Sequence, residues 1–495
     1  MLETLLANMG RRRAFVFGSL AWGALSLTAC TIGPDYRRPE VELPSAWQSG
    51  AEAVAQPVTA DWWKTFGDAP LDALISEALE HNQDLVAAAA RMDEARAQAG
   101  IARSMLLPQL SAGASAMRSR TSSNPDEVPA KLGDLGTAGG MLSWEIDLWG
   151  KLRRLNEAAR AGYAASRLDR DATRLSITAQ VADTYFQLVA IDTKLAITQD
   201  TLRSRNDALR INQRRFERGL ISELDFRQAQ AEAASAKAEI PVLTQSMRET
   251  EHALGVLVGR TPRELVEGRV ARAGVLTSLT APPAIPEGLP STLLIRRPDI
   301  QAAEQRLVAA NARIGVARAA YLPTINLTST LGIQSDALNN LFAGPVRTWS
   351  FAANLAAPIF DWGRTGAGVD VATAQQRQAL AQYQSSIQIA FRETLDAMSN
   401  RATSSEREAA LRMQLDALQS TLKVAQLRYG GGYAAYLDVL DAQRGVYAAE
   451  LQVVDARLVQ LTASVALFKA LGGGWQAAGQ AGAPEARADT PAIVR

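Results

Sequence analysis

The chain has 495 residues, enough for two or three ordinary domains, and carries 52 basic against 51 acidic side chains. So even a balance excludes a basic nucleic-acid surface, and two histidines with one cysteine leave little for metal or nucleophile chemistry. Aromatic residues make up only 6% of the chain while Ala, Gln, Arg and Leu abound, a composition suited to long helices.

Arg11-Arg12-Arg13 precede an apolar run from Ala14 to Leu27, and then Leu27-Thr28-Ala29-Cys30. A basic start, a short apolar stretch and small residues before a cut site form an export signal, too short to span a bilayer. With the lone cysteine at that spot, residues 1–29 resemble a bacterial lipoprotein signal peptide. The resemblance implies that Cys30 becomes the new N-terminus, with diacylglyceryl and N-acyl groups on it. Thr31 in place of Asp implies sorting to the outer membrane. Met1 and Met9 stand as alternative starts. After Leu27 the sequence shows no apolar run long enough for a transmembrane helix.

Residues 30–60 are rich in Pro and polar side chains and read as an extended arm. A helix is expected from near Leu71, and a second over Asp84–Leu106. Leu107-Pro108 ends it, because proline cannot continue a helix and pushes its predecessor toward extended geometry. Beyond it the period changes. Leu142, Trp144, Ile146 and Leu148 alternate with Ser143, Glu145 and Asp147, and Leu110, Ala112, Ala114 and Ala116 do so more weakly. Ile325, Leu327, Leu331 and Ile333, then Trp349, Phe351, Leu355 and Ile359, repeat the pattern. Period-two alternation over such lengths predicts strands with one apolar and one polar face, within about 108–149 and 323–360. They suit either an outer-membrane barrel or two soluble hairpins packed on helices. Long Pro-poor stretches follow each strand pair, and Lys151–Phe216 alone would make a rod of about 100 Å. Their apolar faces are thin and Ala-rich, as in a helical wall or coiled coil.

The chain repeats itself. Ala95, Ala97, Gly100, Ala102, Arg103, Leu107 and Pro108 recur as Ala310, Ala312, Gly315, Ala317, Arg318, Leu322 and Pro323. Arg215-Phe216, Gly219, Leu224-Asp225 and Ala229-Gln230 recur as Arg428-Tyr429, Gly432, Leu437-Asp438 and Ala442-Gln443. Gly in such a turn supplies the left-handed residue that ends a helix, and Asp suits the first turn of the next. Each copy is a helix, two strands and a long helical hairpin, so the fold is mainly α with a β portion and a duplicated β-β-α-α unit. The first repeat takes 61–285, with its hairpin at about 151–258. The second takes 286–471, with its hairpin at about 363–471, and 472–495 form a Gly/Ala/Pro-rich tail expected to be disordered. Four strands per chain cannot close a membrane barrel, whose smallest examples have about eight. An open sheet in lipid would leave backbone groups unpaired, so a barrel here is shared between chains. Strand counting alone allows two chains or three.

The blocks "GPDYRRPEVELPSAW" from Gly33, "IDLWGKLRR" from Ile146, "RRFERGLISELDFRQAQ" from Arg214, "GLPSTLLIRRPDIQAAE" from Gly288, "IFDWGR" from Ile359 and "LRYGGGYAAYLDVLDAQR" from Leu427 resemble the TolC/OprM-type outer membrane efflux family, in its lipoprotein branch. The resemblance covers nearly all of the mature chain. It implies a homotrimer with a twelve-stranded β-barrel in outer-membrane lipid, continued by a long periplasmic α-helical barrel. It further implies a passive exit duct for small molecules, fed by an RND-type inner-membrane pump through a periplasmic adaptor protein. It puts the helix–helix turns at the periplasmic tip, with Leu437, Asp438, Asp441 and Asp225 at the gate and Gly219 and Gly432 on the adaptor-contact turns. Asp438 and Asp441 equally suit a plain helix start. Arg296-Arg297-Pro298-Asp299 reads as structural, Trp62 and Trp63 as packing, and Trp144, Trp149, Trp349 and Trp362 as lying in or beside strands, half of them facing lipid or the interface.

No nucleophile–base pair, phosphate loop or ligand cluster is legible, and His81 and His252 stand apart, so neither catalysis nor a metal or other cofactor is expected. Type I protein secretion and metal efflux share the duct architecture. A periplasmic helical scaffold or adhesin is the alternative of another class, and it would not need four alternating strands.

Overall fold

A computed structural model of the chain describes residues 31–40, 61–120, 132–268, 270–272, 274, 276, 279, 297–336 and 347–473. The expected signal peptide, Cys30 and almost all of the expected tail lie outside them. The described elements run in order: a 3-10 turn at Trp62–Phe66, α1 (Ala69–His81), α2 (Gln83–Ser104), β1 (Gln109–Arg120), β2 (Leu132–Ile146), α3 (Lys151–Glu217), α4 (Glu223–Leu257), α5 (Pro262–Glu267), α6 (Pro298–Ala319), β3 (Thr324–Ser335), β4 (Arg347–Ala356), α7 (Arg364–Gly430) and α8 (Tyr436–Ala470). The described residues group into two compact units, each drawn from both halves of the duplication.

The first unit holds the described residues within 31–40, 91–166 and 302–383. Its centre is a four-stranded antiparallel sheet in the order β1-β2-β3-β4. Gln109 pairs with Ser143, Ile146 with Ile325, and Thr324 with Ala356. The alternation read in the sequence is the two-sidedness of this sheet. Leu110, Leu331, Trp349, Phe351 and Leu355 are exposed on one face. Hydroxyl pairs Ser115–Thr137 at 2.8 Å and Thr330–Ser350 at 2.6 Å cross the strands on the other. Asp147 accepts from the backbone N–H groups of Leu152 and Arg153 and so caps the start of α3. Trp144 donates to the Leu106 carbonyl at 3.2 Å and Trp149 to the Pro323 carbonyl at 2.7 Å, whereas Trp349 and Trp362 are exposed.

The extended arm docks within this unit. Ile32 N–H donates to the Trp149 carbonyl, and Asn311 donates to the Pro34 carbonyl. Arg154 pairs with Asp35 at 2.5 Å. Glu304 accepts from Arg38 Nε and Nη2 at 2.7 and 2.6 Å and from the Tyr36 hydroxyl at 3.1 Å. Burial and the adjoining carboxylate push the Tyr36 phenol up. Gly33 has φ 113° and lies so close to Gly315 that a Cβ would come within 2.5 Å of its Cα, so both glycines are required for the approach.

The second unit holds the described residues within 61–90, 167–301 and 384–473. Its core joins Trp62, Trp63 and Phe66 to Leu71 and Ile75 of α1, Tyr185 and Phe186 of α3, Leu254 of α4 and Phe468 of α8. Trp62 stacks on Phe468 at 5.2 Å and Phe66 tilts against Phe186 at 4.9 Å, so both tryptophans pack as expected. The buried Tyr185 hydroxyl donates to Asp68, which caps α1. Arg297 is buried and joins Asp299, Glu393 and the Ala470 carbonyl, and Pro298 opens α6, the structural role expected of that motif. One expectation needs correction. Helix α8 contains an 18-residue window apolar enough, by length and composition, to cross a membrane, where no such run was expected after Leu27. Half of that window is buried, and Phe468, Leu461 and Val465 sit in the aromatic core, which accounts for the apolarity.

Candidate functional site

The two helix–helix turns are built alike. After α3, Gly219 has φ 69°, its N–H donates to the Phe216 carbonyl, and Leu220 N–H donates to that of Arg215. After α7, Gly432 has φ 79°, its N–H donates to Tyr429, and Tyr433 N–H to Arg428. Both are Schellman motifs, in which the left-handed residue lets two orphan carbonyls be satisfied. The next helices start differently. Ser222 caps α4: its hydroxyl accepts from Asp225 N–H at 3.1 Å and donates to the Asp225 carboxylate at 2.9 Å. At the matching place in α8 stands Ala435, which has no side chain to offer, and Asp438 reaches back to the Ala435 N–H at 3.2 Å.

Asp225 and Asp438 therefore both serve helix starts. Asp438 does more. With Asp441, Arg428 and Arg444 it lines a groove of about 900 Å³ between the end of α7 and the start of α8. Leu437 is 52% exposed beside it. Asp225 does not line that groove.

Beneath the turns lies a charged lock that sequence reasoning did not single out. Glu232 of α4 is buried, and it accepts from Arg444 Nε of α8 at 2.7 Å and pairs with Arg205 of α3 at 3.1 Å. Arg205 also donates to the Glu232 backbone carbonyl at 3.0 Å and lies over the Tyr447 ring at 5.5 Å. Next to it, Ala229, Tyr436, Val439 and Leu440 form a small core, and burial, reinforced by Tyr429, pushes the Tyr436 phenol up. A signal for Glu232 was available: Ala229, Glu232, Ala233 and Ala236 share one helix face, so a carboxylate stands in an alanine stripe. Among the described residues no cluster of His, Cys, Asp and Glu could hold a metal.

Strands with one apolar and one polar face, continued into long helical hairpins, are the parts of a channel-forming subunit of an outer membrane. The chain belongs to the outer membrane efflux protein family, which it matches over residues 74–260 and 289–473. It is 36% identical to the toluene efflux pump outer membrane protein TtgC of Pseudomonas putida over 96% of this chain and 98% of the relative. It is 33% identical to the cation efflux system protein CusC of Escherichia coli over 92% and 97%. The solved Campylobacter jejuni CmeC outer membrane channel superposes with a TM-score of 0.85 at 29% identity, covering 90% of this chain and 96% of that one. The protein is an outer-membrane component of an efflux system.

Proposed function

We propose that three copies of the chain form a passive exit duct, joined through their strands into one closed barrel and through their helical hairpins into a tunnel beneath it. The observation that carries this is the open sheet: β1 and β4 are its two edges, and each exposes unpaired backbone on a strand with an apolar face. Lipid cannot satisfy those groups, so further strands must. An inner-membrane pump of the RND type delivers substrate through a periplasmic adaptor that meets the turns at Gly219 and Gly432. Asp438, Asp441 and Leu437 narrow the path at the tip, with Asp225 on the neighbouring turn. Cys30 carries the lipid, one residue before an arm whose ion pairs fix it to the first unit. The duct works without catalysis, metal or other cofactor of its own, and its cargo is small molecules.

The test is assembly and conductance together. Purified protein in detergent should scatter light as a trimer and conduct ions in planar bilayers. A monodisperse monomer with its strand signal intact in circular dichroism would refute the shared barrel. A well-ordered trimer that does not conduct would favour a scaffold.

A further inference from the structure

The two long helical hairpins match residue for residue. Helices α3 and α7 each have 67 residues, α4 and α8 each have 35, and every residue of the first hairpin has its counterpart 213 positions further on. Helices so alike could exchange partners, with α4 returning on α7 and α8 on α3. They are also within reach of one another. Tyr436, Val439 and Leu440 of α8 pack on Ala229 of α4. Tyr447 of α8 meets Thr198 of α3 at 3.0 Å, and Asp455 pairs with Lys194 at 2.5 Å. Duplication therefore poses a problem of pairing that a single hairpin does not have.

Each hairpin buries a charged layer, and the two layers differ in height and in sense. In the first, Arg205 on the outgoing helix pairs with Glu232 on the returning one at 3.1 Å. In the second, Glu408 on the outgoing helix pairs with Arg457 on the returning one at 3.4 Å. All four side chains are only 6–12% exposed. Neither layer is copied in the other repeat. The counterparts of Arg205 and Glu232 are Leu418 and Gly445, which fit large against small: a Cβ at 445 would stand 3.2 Å from Leu418 Cδ2. The counterparts of Glu408 and Arg457 are Leu195 and Thr244. Leu418 and Glu408 are ten residues apart on α7, so the layers differ in height by about 15 Å.

We infer that the two layers are a pairing code, which makes each returning helix fit its own outgoing helix and reject the other. After an exchange in the same turn register, Arg205 would face Gly445, Glu232 would face Leu418, Arg457 would face Leu195 and Glu408 would face Thr244. All four charges would then be buried without a partner, the costliest state for a buried ion pair. Sliding the helices does not repair the error, because the layer charges of α3 and α8 are both arginine and those of α4 and α7 are both glutamate. A buried ion pair adds little net stability over apolar side chains of similar volume. What it supplies here is the choice of partner, as a buried polar residue does in coiled coils.

Erasing the layers tests the code. Arg205→Leu with Glu232→Ala gives the first hairpin an apolar layer like that of Leu418 and Gly445. Glu408→Leu with Arg457→Thr gives the second hairpin the residue types found at 195 and 244. The parent chain for all of these carries Leu418→Cys with Gly445→Cys. Mild oxidation should join that pair, and a maleimide counts the thiols left free. The disulfide reports native pairing, because after an exchange 418 faces 232 and 445 faces 205. Either erasure alone should leave the disulfide as complete as in the parent, since the other layer still forbids exchange. Both together should keep the helix content in circular dichroism and yet leave several-fold more thiol free. Layers about 15 Å apart with no shared partner act independently on stability, so a failure seen only in the combination marks a code rather than two separate supports. A combined variant that closes the disulfide as fully as the parent would overturn the inference. Loss of helix content in that variant would overturn it too, by making the layers supports of the fold.

Discussion

Replacing Glu232 by alanine perturbs the lock beneath the turns at its centre. The carboxylate has two partners of unequal weight. Arg444 is 52% exposed, so its pair contributes about 0.5–1 kcal/mol and water replaces the lost partner. Arg205 is 7% exposed, and stranding a buried charge costs roughly 3–5 kcal/mol. Two of its contacts survive the substitution, the backbone carbonyl of residue 232 and the face of Tyr447. These bring the expected loss to roughly 2–3 kcal/mol, spent on weaker attachment of α8 to α3 and α4. At about 1.4 kcal/mol per factor of ten, the locally opened population rises roughly 30- to 150-fold. Single-channel recording should therefore show larger mean conductance and longer open dwells for Glu232→Ala. Glu232→Gln, which keeps an acceptor oxygen but not the charge, should fall between variant and wild type. A folded Glu232→Ala protein with wild-type conductance and dwell times would refute the reasoning.

Asp438→Asn with Asp441→Asn should reduce cation preference, measured as reversal potential under a salt gradient; identical values in both proteins would leave these carboxylates with only their helix-start role. Tyr185→Phe removes a buried hydrogen bond to Asp68 and should cost about 1.5–3 kcal/mol, read as a lower melting temperature with unchanged helix content. Burial raises the Asp183 carboxyl from its ordinary 3.8 to about 7. The folded chain then holds a proton that the unfolded chain releases, so this group's stabilisation is complete below about pH 4 and is lost as pH rises toward 7. Asp183→Asn should flatten that decline, and equal slopes of melting temperature against pH in the two proteins would contradict it.

What the sequence disclosed follows from which features are local. The Leu-Pro pairs end α2 and α6 where helix turns to strand, because a proline acts on its own neighbours. Period-two alternation marked all four strands, because each residue's face is fixed by its own position. Contacts across helices were another matter. Glu232, Arg205 and Arg444 meet only because three long helices hold their phase over many turns, and no spacing in the chain announces that. The apolarity of α8 is hard to see in the sequence for a related reason. It is spread around the helix to meet the aromatic turn at Trp62 and the middle of α3, rather than gathered into one uninterrupted run.

Duplication also shows where the two halves have parted. The α3–α4 turn is held by a Ser222 cap and by Phe216 stacked on Phe226 at 5.3 Å. The α7–α8 turn has Ala435 at the cap, a difference of about 0.5–2 kcal/mol against it. Three consecutive glycines, Gly430 to Gly432, enter that turn where the first repeat has Glu217-Arg218-Gly219, and glycine loses the most backbone freedom on ordering. The second hairpin is thus intrinsically the looser one, and it is also the one that carries Asp438 and Asp441. What holds its start in place is not the turn but the partners of α8 further along: Tyr436 in the small core with Ala229, and Arg444 on Glu232. A weak turn with a half-exposed tie about two and a half helical turns further along is an arrangement in which α8 can loosen as a unit without unfolding.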